Sequence, residues 1–188
     1  MIRKQFPSIA LVLLVFSVEL KLILLQQRIK EESLQLLNNL QTSSVQQCLP
    51  YRKNFRLPQK SVNFHQYPKG HALAILHEML QQIFNLFKEN ISLGGGEEIH
   101  IQKFLIDLHQ QLEYLETLLG LEAEQKSGAL GSKNLRLRVK AYFRRIHHYL
   151  ESQQHSSCAC TIVQVEISRC LVFVFRLTGS LIRQGIDP

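Results

Sequence analysis

Catalytic apparatus is what this sequence most clearly lacks. It has no Gly-x-Ser-x-Gly elbow, no His-Glu-x-x-His pair and no Gly-Lys-Ser/Thr phosphate loop. The commonest hydrolase, metalloprotease and nucleotide-binding chemistries therefore have nowhere to sit. The triple glycine at positions 94–96 lacks the lysine and hydroxyl of a phosphate cradle, and reads as a helix-breaking turn. Cysteine is scarce, with four in 188 residues. Cys158-x-Cys160, near His147, His148 and His155, matches no usual zinc-ligand spacing. The chain is expected to be no enzyme and to hold no metal and no cofactor.

Proline and glycine are also few, five and nine. They build no linker, no repeat and no low-complexity tract, so a single domain is expected. Near the N-terminus, Arg3 and Lys4 precede an apolar run from Ile9 to Phe16, followed by Val15-Phe16-Ser17 and then charge at Glu19 and Lys21. That is the layout of a secretory signal peptide, and the run is too short to span a bilayer. Residues 1–17 are expected to be the signal and 18–188 a helical domain. Removing the signal takes away two basic and no acidic residues, so the formal charge of +7 falls only slightly.

The longest apolar stretch is SSCACTIVQVEISRCLVFVFRL, from Ser156 to Leu177. It opens on serines that can cap a helix and runs five turns without Pro or Gly. Its β-branched residues suggest a strand, but strands usually stop at about 4–8 residues. On a helix, Thr161, Gln164, Val165, Ser168, Arg169, Val172 and Arg176 form one stripe, and almost everything else except Glu166 is apolar. Such a helix is buried on most of its circumference and exposes one narrow mixed face. In a bilayer, Glu166, Arg169 and Arg176 would lie in hydrocarbon without evident partners, so no membrane insertion is expected.

Four more amphipathic helices follow from the 3/4 spacing of apolar residues. The first carries Leu22, Leu25, Ile29, Leu36 and Leu40. The second, about 70–90, carries Leu73, Leu76, Leu80, Ile83, Phe84 and Phe87. The third carries Ile101, Phe104, Leu105, Leu108, Leu112, Leu115 and Leu119. The fourth, about 133–153, carries Leu135, Val139, Tyr142, Phe143, Ile146 and Leu150. Residues 41–70 form a long connection broken by Pro50, Pro58 and Pro68, in which Phe55, Leu57, Phe64 and Tyr67 can be buried; 120–132 forms a second. Asn90-Ile91-Ser92 is a glycosylation sequon at the end of the second helix. The fold class is all-α, a bundle with a long crossover.

Cys158, Cys160 and Cys170 share the last helix, where Cys158 and Cys160 point about 200° apart and Cys170 lies roughly 15–18 Å along the axis. None can bridge another there, since a disulfide needs Cα atoms within about 7 Å. Only Cys48 can reach in, and Cys158 at the helix start is its preferred partner. Basic residues gather at Arg52, Lys53 and Arg56 and along the fourth helix at Lys133, Arg136, Lys140 and Arg144. Solvated faces are often basic; otherwise such patches meet an acidic receptor, a sulfated glycan or nucleic acid, and secretion argues against the last. A secreted basic glycan-binding or antimicrobial helical protein is the rival to a signalling ligand.

Five stretches carry a resemblance: SVQQCLPYRKNFRLPQK, GHALAILHEMLQQIFNLFKENISL, LHQQLEYLE, NLRLRVKAYFRRIHHYLE and CACTIVQVEISRCLVFVF. With them the chain resembles the type I interferons over nearly all of the expected mature length. The resemblance implies a secreted, monomeric five-helix cytokine with an up-up-down-down core. It would bridge the two chains of the type I interferon receptor to trigger antiviral and immune signalling. The positions implied for the high-affinity chain are Leu49, Arg52, Gln164, Val165, Ser168, Arg169 and Val172; Lys140, where the family has arginine, is implied for the low-affinity chain. The family disulfide maps to Cys48 and Cys158. One departure stands out: the family's Trp after Cys-Ala is Cys160 here, and the chain has no Trp at all.

Overall fold

The computed structural model describes residues 9–39, 44–58, 69–94, 98–123 and 129–186. Its regular secondary structure there is all helical, as the periodicity implies. The helices are α1 (Ile9–Arg28), α2 (Leu34–Asn39), α3 (Val45–Cys48), α4 (Lys69–Glu89), α5 (Glu98–Ala123), α6 (Ala129–Ser152) and α7 (Ser157–Ile186). A π-helical turn, Ile29–Ser33, joins α1 to α2; 3-10 turns follow α3 at Leu49–Tyr51 and α4 at Ile91–Gly94. α4 packs against α5, α6 and α7, while α1 packs against α7 and α5. This is an all-α bundle, with the long connection between α2 and α4 as its crossover.

α7 supplies the centre. Ala159, Val163, Ile167, Cys170, Leu171 and Val174 have no exposed surface, and the helix runs on past Leu177, burying Leu181. It is long and apolar enough to cross a membrane by length and composition, yet two-thirds of that window lies inside the bundle. Its N-terminus is capped by Ser156, whose Oγ accepts the Ala159 amide at 3.2 Å. Gly179 leaves room for a side chain of α1: a Cβ there would lie 2.7 Å from Nε2 of Gln26, which donates to the Phe175 carbonyl.

The structure departs from the periodic reading in the first helix. The expected inward residue Leu36 is half-buried, and Leu37 is buried in its place. The π-helical turn explains the shift, because one extra residue per turn moves the inward face on by one position. Leu40 lies outside the described residues, as do Phe64, Tyr67 and Pro68 of the crossover. The second connection is shorter than expected, since α5 continues through Gly120 to Ala123 and α6 begins at Ala129.

The same turn carries Ser33 into a buried polar cluster. Ser33 Oγ donates to Asp107 Oδ2 at 2.5 Å, and Gln111 Nε2 donates to both, at 2.9 and 2.8 Å. Burial, helped by nearby Glu32 and opposed by these hydrogen bonds, raises the Asp107 pKa from 3.8 to about 6. A carboxyl whose folded pKa is raised favours the folded state below its ordinary value, and that contribution is lost as pH rises through about 6. Asp107→Asn keeps the acceptor for Ser33 and Gln111 and removes the charge. The variant should melt higher than the parent at pH 7.5, and the gap should close by pH 4. A gap unchanged across that range in melting curves would refute the assignment.

Candidate receptor-binding surface

A disulfide joins Cys48, at the end of α3, to Cys158, in the first turn of α7, with Cα atoms 5.0 Å apart. Cys160 and Cys170 lie outside it and are buried. The crossover therefore leaves the bridge beside the start of α7. Leu49 and Tyr51 are about half exposed, and Arg52 is exposed.

The segment after the bridge is held by α6. Tyr149 Oη donates to the Tyr51 carbonyl at 2.7 Å, and its ring meets Phe55 edge-on with centroids 5.1 Å apart. Arg145 donates from Nε to the Phe55 carbonyl at 3.0 Å and from Nη2 to the Arg56 carbonyl at 3.4 Å. Phe55 is fully buried, as expected, while Arg56 takes a left-handed backbone at φ 59°. Asn54 eases that conformation by accepting the Arg56 amide at 2.9 Å. Lys53 Nζ stands 5.9 Å over the Tyr149 ring. Arg52, Lys53 and Arg56 are thus presented on a braced loop. The two side chains that brace it, Arg145 and Tyr149, carried no sequence signal for this role, because they act on backbone carbonyls.

The α7 stripe is only partly a surface. Val165 and Ser168 are half-buried, and Arg169, Val172 and Arg176 are exposed. Thr161 and Gln164 are buried, which corrects the expectation for both. Gln164 is 2% exposed, and its Nε2 donates to the Leu93 carbonyl in the 3-10 turn after α4. That turn packs on α7 here, and Gln164 ties the two together. Ser168 Oγ donates to the Gln164 carbonyl at 3.2 Å. Arg169 lies one helical turn from both Val165 and Val172, and its Nη1 is 3.2 Å from Glu166 Oε2.

On α6, Lys133, Lys140 and Arg144 are exposed. Arg136 is not part of a free basic face: its Nη1 lies 3.2 Å from Glu78 Oε2, and 3.2 Å from His77 Nδ1. That pairing weakens the case for a polyanion-binding stripe. At the other end of α4, Asn90 is half-buried; its Nδ2 donates to the Leu86 carbonyl at 2.9 Å and its Oδ1 faces His155 Nε2 at 2.9 Å. Among the described residues no group of three or more His, Cys, Asp or Glu is arranged to hold a metal ion.

Comparison with known proteins shows the family. The family profile for the interferon alpha/beta domain matches residues 22–181. Interferon epsilon of Homo sapiens is 68% identical over 190 residues, covering 98% of this chain and 91% of the relative. Interferon epsilon of Sus scrofa is 66% identical over 193 residues, covering all of both. Interferon omega-1 of Equus caballus is 40% identical over 152 residues, covering 81% of this chain and 78% of the relative. With a family match across nearly the whole helical bundle and relatives this similar end to end, the chain belongs to the interferon alpha/beta family, the type I interferons.

Proposed function

We propose that the braced loop and the exposed part of α7 form one continuous site for the high-affinity receptor chain. As a type I interferon, the protein is a secreted cytokine that signals through the two-chain type I interferon receptor. Leu49 and Arg52 supply the loop half of the proposed site; Val165, Ser168, Arg169 and Val172 supply the helix half. The observation that carries this reading is the bridge between Cys48 and Cys158, which ties the two halves together beside the start of α7. An arginine ringed by apolar or small side chains is the usual make-up of an interface hot spot. Lys140, exposed on α6, is proposed to meet the low-affinity chain. Hydrogen exchange in the presence of each receptor ectodomain tests the division. The high-affinity chain should protect residues 49–58 and 165–176, and the other chain should protect α6 around Lys140. Protection of 49–58 by neither chain would sink the reading.

The secreted form is proposed to begin near Val18 and to carry an N-linked glycan on Asn90. In support, the interferon alpha/beta profile begins to match at residue 22, just past the proposed cleavage point, and Asn90-Ile91-Ser92 has the sequon spacing. Terminal sequencing and intact mass of the secreted product, before and after glycan removal, check both; Met1 at the terminus, or no mass change, would refute the respective assignment.

A further inference from the structure

Glu166 is a buried carboxylate one turn before an exposed arginine. It is 4% exposed, whereas the Arg169 side chain is 58% exposed. A buried charge is costly unless its oxygens are hydrogen-bonded, and both oxygens here are engaged. Oε1 accepts the Tyr142 hydroxyl at 2.6 Å, and Oε2 accepts Arg169 Nη1 at 3.2 Å. Tyr142 is fully buried on α6, and its Oη lies 3.1 Å from Cys170 Sγ. Burial pushes the Tyr142 phenol far above its ordinary range and the Cys170 thiol up to about 12, so both keep their protons. The phenol therefore acts as a donor to Glu166, with the thiol behind it.

We propose that Glu166 and Tyr142 are positioning residues that hold the Arg169 guanidinium ready for the high-affinity receptor chain. This rests on the reading of Arg169 as a receptor contact. An exposed pair of two flexible side chains is mobile and contributes little. Here one partner is fixed from below by Tyr142, so the arginine loses part of its freedom before the receptor arrives. Ordering a long side chain in advance lowers the cost of binding, by an amount equivalent to roughly three- to tenfold in affinity. α6 thus acts on a site that its own surface does not form.

The test is a double-mutant cycle, with binding to the immobilised high-affinity ectodomain and melting temperature measured for each variant. Glu166→Gln should weaken binding roughly three- to tenfold, mainly through faster dissociation. In an Arg169→Ala background the same change should have no further effect, which a merely structural role would not produce. Tyr142→Phe, which keeps the ring and the carboxylate, carries the same cycle if the glutamine variant fails to fold. If Arg169→Ala alone binds like the parent, the surface reading fails and this proposal with it. If Arg169→Ala weakens binding but Glu166→Gln costs nothing in the parent background, or costs the same with and without Arg169, the positioning role is overturned and the surface stands.

Discussion

Cys48→Ser is expected to lower the melting temperature by roughly 10–20 °C. The bridge spans a sequence separation of 110 residues. In the chain-entropy account, cross-linking a loop of that length stabilises by about 4–5 kcal/mol, because the unfolded chain loses its freedom to separate the ends. A domain of this size moves about 2–4 °C per kcal/mol. The change also places a hydroxyl at Cys48, which has no exposed surface, and releases α3 from α7. Cys170→Ser is the control: that thiol is equally buried but closes no loop, and a serine hydroxyl can keep the contact to Tyr142. Its melting point should move by a few degrees only. Two variants that melt together by calorimetry would show that the bridge is not what holds the crossover.

Much of this arrangement was legible in the residues. Apolar spacing located the bundle helices because burial repeats with the helical period, and all six residues expected inside α6 are buried. The cysteines were legible for a different reason: three on one helix cannot reach one another, which leaves Cys48 as the only partner. What escaped was tertiary. Gly120 would mark a helix end in most chains, yet it lies inside α5, where a glycine costs about 1 kcal/mol that packing can offset. Gly179 continues α7 at its close approach to Gln26. Gln164 shares a stripe with Val165 and Arg169, but helical phase cannot reveal that the turn after α4 covers it. Asp107 and Gln111 did leave a signal, standing four residues apart among Phe104, Leu108 and Leu112. Polar groups at that spacing on an apolar face need a shared partner, and here that partner is Ser33.

The largest functional loss is expected from removing Arg52 and Arg169 together. Each alanine substitution alone should weaken binding to the high-affinity receptor chain by more than roughly tenfold, since truncating an arginine hot spot costs about 2 kcal/mol or more. No residue is shared between the loop and helix halves, so the losses should add to about a hundredfold or more. Stability should barely change. Arg52 is exposed, and the Arg169 pair with Glu166 is largely solvated on the arginine side, where such pairs contribute about 0–1 kcal/mol. Glu166 also retains the Tyr142 hydroxyl when the arginine is gone. Lys140→Ala should leave this affinity intact and reduce signalling through the other chain. Surface plasmon resonance decides the matter: if both single arginine variants bind like the parent, the partner does not use this face, whatever the disulfide holds together.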